Sequence, residues 1–166
     1  MGEPFRVPIG LELSQAAATV RRAFEDALGQ AEFQDALGQG GGTLPVWLIL
    51  LNLKIHKPGN QHDLAEKVGI REATLTHHLN AMDARGLVTR TRSAANRRIQ
   101  VVELTEAGEA AFTALQQAAV AFDARLRAGL SQGDLDSLSG LLGKLAANAG
   151  GTRDGAAPWA DLAESG

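Results

Sequence analysis

Between residues 71 and 98, the side chains that can hydrogen-bond or carry charge fall into two groups. Arg71, Thr74, Thr76, His77 and Asn80 form the first, and Arg90, Arg92, Arg97 and Arg98 the second. An amide such as Asn80 can pair with two atoms on the edge of an adenine, and a threonine offers a base either its hydroxyl or its methyl. Guanidinium groups grip phosphates and enter narrow, electronegative grooves. Neither group carries enzyme chemistry. The chain has no cysteine and no tyrosine, and it lacks a nucleophile elbow or a spaced pair of acids, so no catalytic residue is expected. The four histidines do not complete a metal site. His77 and His78 are neighbours that would point apart on a helix, and His56 and His62 flank a turn with only Asp63 close by. No metal and no cofactor is expected. The glycine run at 38–42 also lacks the Lys-Ser/Thr that would follow in a phosphate loop.

The charge is distributed to suit this chemistry. The net value is −3, yet residues 54–98 hold nine Lys/Arg against four acids, while the rest of the chain holds seven against fifteen. A module of +5 is thus set between arms summing to −8. That pattern fits a protein that meets phosphate on one face only.

The elements that must position these residues follow from periodicity and punctuation. Residues 61–68 read as a helix with Asn60 as a plausible N-cap and Asp63 near its positive end. Gly69 can take the positive φ that ends a helix, and Ile70 can plug the core. A second helix spans 72–85, up to Gly86. Its 100° step puts Leu75, Leu79 and Met82 on one stripe, with Ala73, His77, Asn80 and Ala84 opposite and Thr74 and Thr76 at the flanks. His78 lies nearer the apolar stripe. Residues 88–92 and 99–104 then read as two strands joined by 93–98. The order is helix, tight turn, helix, basic hairpin. It sets one helix to enter a major groove and a hairpin to reach the neighbouring groove or backbone.

The run DLAEKVGIREATLTHHLNAMDARGLVTRTRSAANRRIQVVELTEAGEAAF, with TLPVWLILLNL at 43–53 before it, resembles the MarR family of transcriptional regulators over roughly residues 10–148. The resemblance implies a mainly α fold with a small β wing, a winged helix-turn-helix flanked by N- and C-terminal dimerisation helices. It also implies a homodimer that binds a pseudo-palindromic DNA operator, most often as a repressor. A small aromatic or phenolic anion would bind between the dimerisation helices and the DNA-binding lobe, and Arg21, Arg22, Trp47 and His56 are the candidates to line that cleft. Two positions depart from the family pattern. Arg71 stands where a Ser-like cap is common, and Asn96 precedes Arg97 and Arg98 where the family commonly has Asp. Loss of that carboxylate removes an ion pair that would orient a wing arginine. The competing reading is a winged-helix protein-interaction module whose wing binds an acidic partner.

The flanks read as dimerisation arms. Thr105 is a good N-cap, after which Phe112, Leu115, Ala119, Phe122 and Leu126 recur at spacings of 3, 4, 3 and 4. Ser131 and Asp134 approximate a capping box ahead of Leu135, Leu138, Leu142 and Leu145. An N-terminal helix at about 11–37, with Val20, Phe24 and Leu28, would join the same interface. The expected domains are a first arm and Gly-rich linker at 1–42, a DNA-binding domain at 43–104, C-terminal arms at 105–149 and a flexible tail at 150–166. The repeat DALGQ at 26–30 and 35–39 has no functional reading. No apolar run is long enough for a bilayer and the first residues lack the apolar core of a signal peptide, so a cytoplasmic address is expected.

Overall fold

The computed structural model describes residues 7–30, 42–56, 61–93 and 100–151. In chain order the elements are α1 (Ile9–Gly29), α2 (Leu44–Ile55), α3 (Gln61–Val68), α4 (Glu72–Ala84), β1 (Val88–Arg92), β2 (Gln100–Leu104), α5 (Glu106–Leu126) and α6 (Gln132–Asn148). The architecture is the mainly helical, two-stranded winged one expected. The chain divides into two compact units, 1–120 and 121–166, with the boundary inside α5.

Helix α2 is the centre of the first unit. Pro45 starts it, and Val46, Trp47, Ile49, Leu50, Leu51 and Leu53 are all buried. A helix apolar on every side must be covered on every side, and α2 packs against α1, α3 and β2. Its one buried polar side chain, Asn52, donates from Nδ2 to the Leu48 carbonyl at 2.8 Å, so the amide has a partner within the helix itself. Trp47 lies parallel to Phe112 of α5, with ring centroids 5.6 Å apart and 2° between the planes. Leu28 of α1 and Leu115 of α5 are fully buried as well.

Helices α3 and α4 end alike. Gly69 has φ +73°, with Gly69 N donating to Glu66 O at 3.1 Å and Ile70 N to Ala65 O at 3.1 Å. At Gly86 φ is +69°, and Gly86 N donates to Asp83 O and Leu87 N to Met82 O, both at 2.9 Å. This paired closure satisfies two carbonyls at each helix end and reverses the chain within two residues, which only glycine does without a Cβ penalty. Ile70 is left half-buried and Leu87 fully buried.

The strands pair antiparallel, with Val88 opposite Leu104, Arg90 opposite Val102 and Arg92 opposite Gln100. Val88 and Val102 face the core. Thr105 joins hairpin to helix: its Oγ1 accepts from Gly108 N at 3.0 Å and donates to the Gly86 carbonyl, and its own N–H donates to Leu87 O at 3.1 Å. The expected N-cap is therefore present, and it also ties the start of α5 to the turn after α4.

In the second unit Ser131 and Asp134 form a complete capping box, Asp134 N donating to Ser131 Oγ at 3.2 Å and Ser131 N to Asp134 Oδ2 at 2.9 Å. The Ser131 hydroxyl, which donates to Asp134 Oδ2 at 2.6 Å, and then the Ser131 N–H hold the Asp134 carboxyl below its ordinary range. No residue of α6 is buried.

Several expected boundaries move. The first helix ends at Gly29 rather than continuing to 37, because Gly29 and Gln30 close it with a turn, and residues 31–41 lie outside the described ones. Helix α4 ends at Ala84, and residue 99, expected to open the second strand, lies outside the described residues. Asn60, the second copy of the DALGQ repeat and the tail from residue 152 lie outside the described residues.

A Cβ on Gly108 would collide with the carbonyl oxygen of Leu87. The obstacle is backbone, which cannot swing away, so Gly108→Ala is expected to destabilise the protein by about 1–3 kcal/mol. Thermal and urea unfolding followed by circular dichroism will check this, and an unchanged midpoint would contradict the close approach of α5 to the α4 turn.

Candidate nucleic-acid interface

Helix α4 shows two faces. Leu75, Leu79 and Met82 are buried at 0–2 % exposure, while Thr74, His77 and Asn80 are exposed and Thr76 is half-buried. The apolar stripe read from the 100° step is therefore the packed one, and it sets which groups look out. His78 is half-buried beside that stripe. Burial, with a smaller effect of its neighbour His77, pushes its imidazole below the ordinary value. Arg71 holds the N-cap position in extended conformation (φ −69°, ψ 146°) with no side-chain cap bond, which leaves its exposed guanidinium for other contacts.

The wing arginines divide. Arg92 is exposed on β1, and Arg97 and Arg98 lie outside the described residues. Arg90 is half-buried and already engaged. Its Nη1 donates to Asn80 Oδ1 at 2.6 Å, and its Nη2 donates to Gln61 Oε1 at 2.8 Å and Gln100 Oε1 at 3.0 Å. One guanidinium thus joins the start of α3, the middle of α4 and both strands of the wing. Sequence reasoning placed Arg90 with the groups that meet DNA and passed over Gln61 and Gln100. The strand register, which puts Gln100 diagonally across the ladder from Arg90, could have found Gln100, whereas no local pattern points to Gln61.

A second link lies at the α3–α4 corner. His62 Nδ1 is 2.6 Å from Glu72 Oε1, and its Nε2 is 3.5 Å from Glu66 Oε1. The hydrogen bond with Glu72, helped by the charges of Glu66 and Glu72, raises the His62 pKa above its ordinary value. Among the described residues no group of three or more His, Cys, Asp or Glu could hold a metal ion.

The four residues assigned to a small-molecule cleft are dispersed in character. Arg21 and Arg22 are exposed on α1, and His56 is half-buried where α2 ends. Trp47 is 4 % exposed, with its ring against Phe112, so it is a core residue first. The seam residues also divide. Phe112 and Leu115 are 2 % and 0 % exposed within the single chain, Phe112 with its ring against Trp47 of α2, so little of their apolar surface is left for a partner. Phe122 is buried as well, with Arg125 stacked 5.3 Å above its ring. Leu126 and Leu138 are 47 % and 50 % exposed, and Leu142 is half-buried. The 3-4 spacing of α5 thus reports the chain's own core over its first half.

An apolar-backed helix that follows a tight turn and leads into a two-stranded hairpin defines a DNA-binding winged helix-turn-helix. Residues 43–100 match the model of the MarR family. A probable transcriptional regulator from Pseudomonas aeruginosa has a similar structure, with 30 % identity, TM-score 0.65, and coverage of 82 % of this chain and 96 % of that one. CouR, a transcriptional repressor solved bound to a 23-mer DNA duplex, is 25 % identical with TM-score 0.69, over 84 % of this chain and 92 % of its own. Bordetella bronchiseptica BpsR, whose DNA binding is regulated by 6-hydroxynicotinic acid, shares the fold at 20 % identity and TM-score 0.68, over 86 % and 97 % of the two chains. The chain belongs to the MarR family of transcriptional regulators. No helix among the described residues is long and apolar enough to cross a membrane.

The raised pKa of His62 has a signed consequence. The protonated form is favoured in the folded state, so the stabilisation it brings is fully present below the unfolded value near 6.5 and is lost as pH rises through the raised folded value. An NMR titration should place the His62 midpoint above 6.5, and Glu72→Gln should bring it down. A His62 midpoint indifferent to Glu72→Gln would contradict the ion pair.

Proposed function

We propose that this regulator is a homodimeric, ligand-responsive repressor that reads a pseudo-palindromic operator, inserting α4 of each subunit into a major groove and laying the wing on the flanking groove or backbone. The observation that carries the reading is the outward face of α4. Thr74, His77 and Asn80 are exposed above a fully buried stripe, with the Arg71 guanidinium uncommitted to capping at one end of the helix and Arg92 exposed on the wing. Small hydrogen-bonding side chains on a helix suit base edges, and free guanidinium groups suit phosphate. The +5 charge of residues 54–98 supports the same orientation. CouR, bound to DNA on the same fold, supports it too.

A second copy of the chain is the proposed cover for the apolar side chains of the arms. Ile9 and Leu11 of α1 are 59 % and 50 % exposed, and Leu138 and Leu141 of α6 are 50 % and 57 % exposed. Apolar side chains clustered at a surface favour association. The proposed effector is a small aromatic or phenolic anion, met by Arg21, Arg22, Trp47 and His56. The regulation of BpsR by 6-hydroxynicotinic acid supports that class of compound.

Selection of genomic fragments by the purified protein, followed by footprinting, tests the operator. Two half-sites are expected with centres about 10 bp apart, one helical turn, so that both helices meet the same face of the DNA. Protection of one isolated half-site by one chain would refute the two-fold mode. On the selected operator, Arg71→Ala and Arg92→Ala should each weaken binding to all sequences and lower the salt slope by about 1. Thr74→Ala and His77→Ala should lower sequence discrimination by roughly 1–3 kcal/mol at one base pair per half-site.

For the assembly, Leu138→Glu with Leu141→Glu should yield a helical, folded monomer in sedimentation. Persistence of a dimer at micromolar concentration would remove α6 from the proposed seam.

A further inference from the structure

Asn80 is the exposed residue of α4 best equipped to read a base, and its amide is not free to turn. An arginine carries donors only, so the Asn80 atom lying 2.6 Å from Arg90 Nη1 must be the carbonyl oxygen Oδ1. The amide orientation is therefore set by chemistry. Arg90 in turn is held by Gln61 Oε1 and Gln100 Oε1, so the guanidinium cannot follow Asn80 if the amide rotates toward DNA. All three acceptors are uncharged amide oxygens.

Bidentate pairing with adenine requires Oδ1 to accept from N6 while Nδ2 donates to N7, with both amide atoms turned to one base edge. Turning Oδ1 outward would strip a half-buried cationic donor of its shortest bond. That loss costs more than an ordinary neutral hydrogen bond returns. Nδ2 is the group that Asn80 can offer without this loss. Guanine presents two adjacent acceptors, N7 and O6, to such a donor, whereas adenine presents N7 beside the N6 donor.

Building on the DNA-reading function proposed above, we infer that Arg90 is a positioning residue that fixes Asn80 as a hydrogen-bond donor, so that Asn80 selects guanine over adenine at its base pair in each half-site. Arg90 does not act as a phosphate contact. This assigns a specificity role to a contact between two side chains of the protein.

The test uses the full chain and duplexes carrying the selected operator. The base pair read by Asn80 is the one whose preference collapses in Asn80→Ala. Wild type should prefer guanine over adenine there by about fivefold or more. Asn80→Asp keeps an acceptor for Arg90 and removes the donor, so thermal stability should hold while the guanine preference disappears. Arg90→Met frees Oδ1, so adenine should become acceptable at that pair with the salt slope unchanged. A wild-type preference for adenine, or a guanine preference that survives in Asn80→Asp, overturns the inference and leaves the regulator reading intact. An Arg90→Met protein that keeps the guanine preference and loses about 1 from the salt slope makes Arg90 a phosphate contact and also overturns it. If Arg90→Met does not fold, the wild-type and Asn80→Asp measurements decide alone. Wild-type protein with no sequence preference on any DNA overturns both this inference and the function on which it rests.

Discussion

Every outward-facing group on α4 owes its direction to the burial of Leu75, Leu79 and Met82. Taking those three side chains out of water stabilises the fold by several kcal/mol, at roughly 1.5–3 kcal/mol for each fully buried one. No single polar contact on the opposite face competes with that. The roll of the helix about its own axis is thereby settled, and Thr74, His77 and Asn80 face out as a consequence. Burial does not settle the position of the helix relative to the wing. That falls to the closures at Gly69 and Gly86, to Thr105 bridging the Gly86 carbonyl and the start of α5, and to Arg90.

Arg90 is an unusual clamp because none of its three acceptors carries a formal charge. A carboxylate in any of those places would neutralise the guanidinium and leave the surface near Asn80 less positive. Amide oxygens hold the group in place without setting a second charge beside Asn80. The His62–Glu72 pair at the α3–α4 corner differs, since both partners are exposed and the link depends on a proton. Solvent screening makes it a weaker constraint on the helix pair than the buried stripe.

The helical arms carry an apolar periodicity whose first half is covered within the chain itself. Phe112, Leu115, Phe122 and Leu126 do recur at a 3-4 spacing on α5, but a spacing marks an apolar stripe without naming what covers it. Trp47 of α2 lies against Phe112, and Leu115 is fully buried within the single chain, so both belong to the chain's own core. Apolar surface left exposed within one chain is found at Leu126, on α6 and along α1.

By itself the sequence determined the elements and their order, because hydrophobic period, helix-ending glycines and cap residues act over a few residues and need no partner from elsewhere. Gln61–Val68, Val88–Arg92, the Gly69 and Gly86 turns, the Thr105 cap and the Ser131–Asp134 box all follow from such local rules. It determined the two faces of α4 for the same reason. Which polar groups remain available was decided only by the tertiary structure. Arg90 meets Asn80 across 10 residues of chain and Gln61 across 29, and no local pattern encodes a hydrogen bond between side chains that folding alone brings within 3 Å. Trp47 and Phe112 met in the same way. A residue's type states what it can bind, and the packing of distant elements decides which of those bonds are already made.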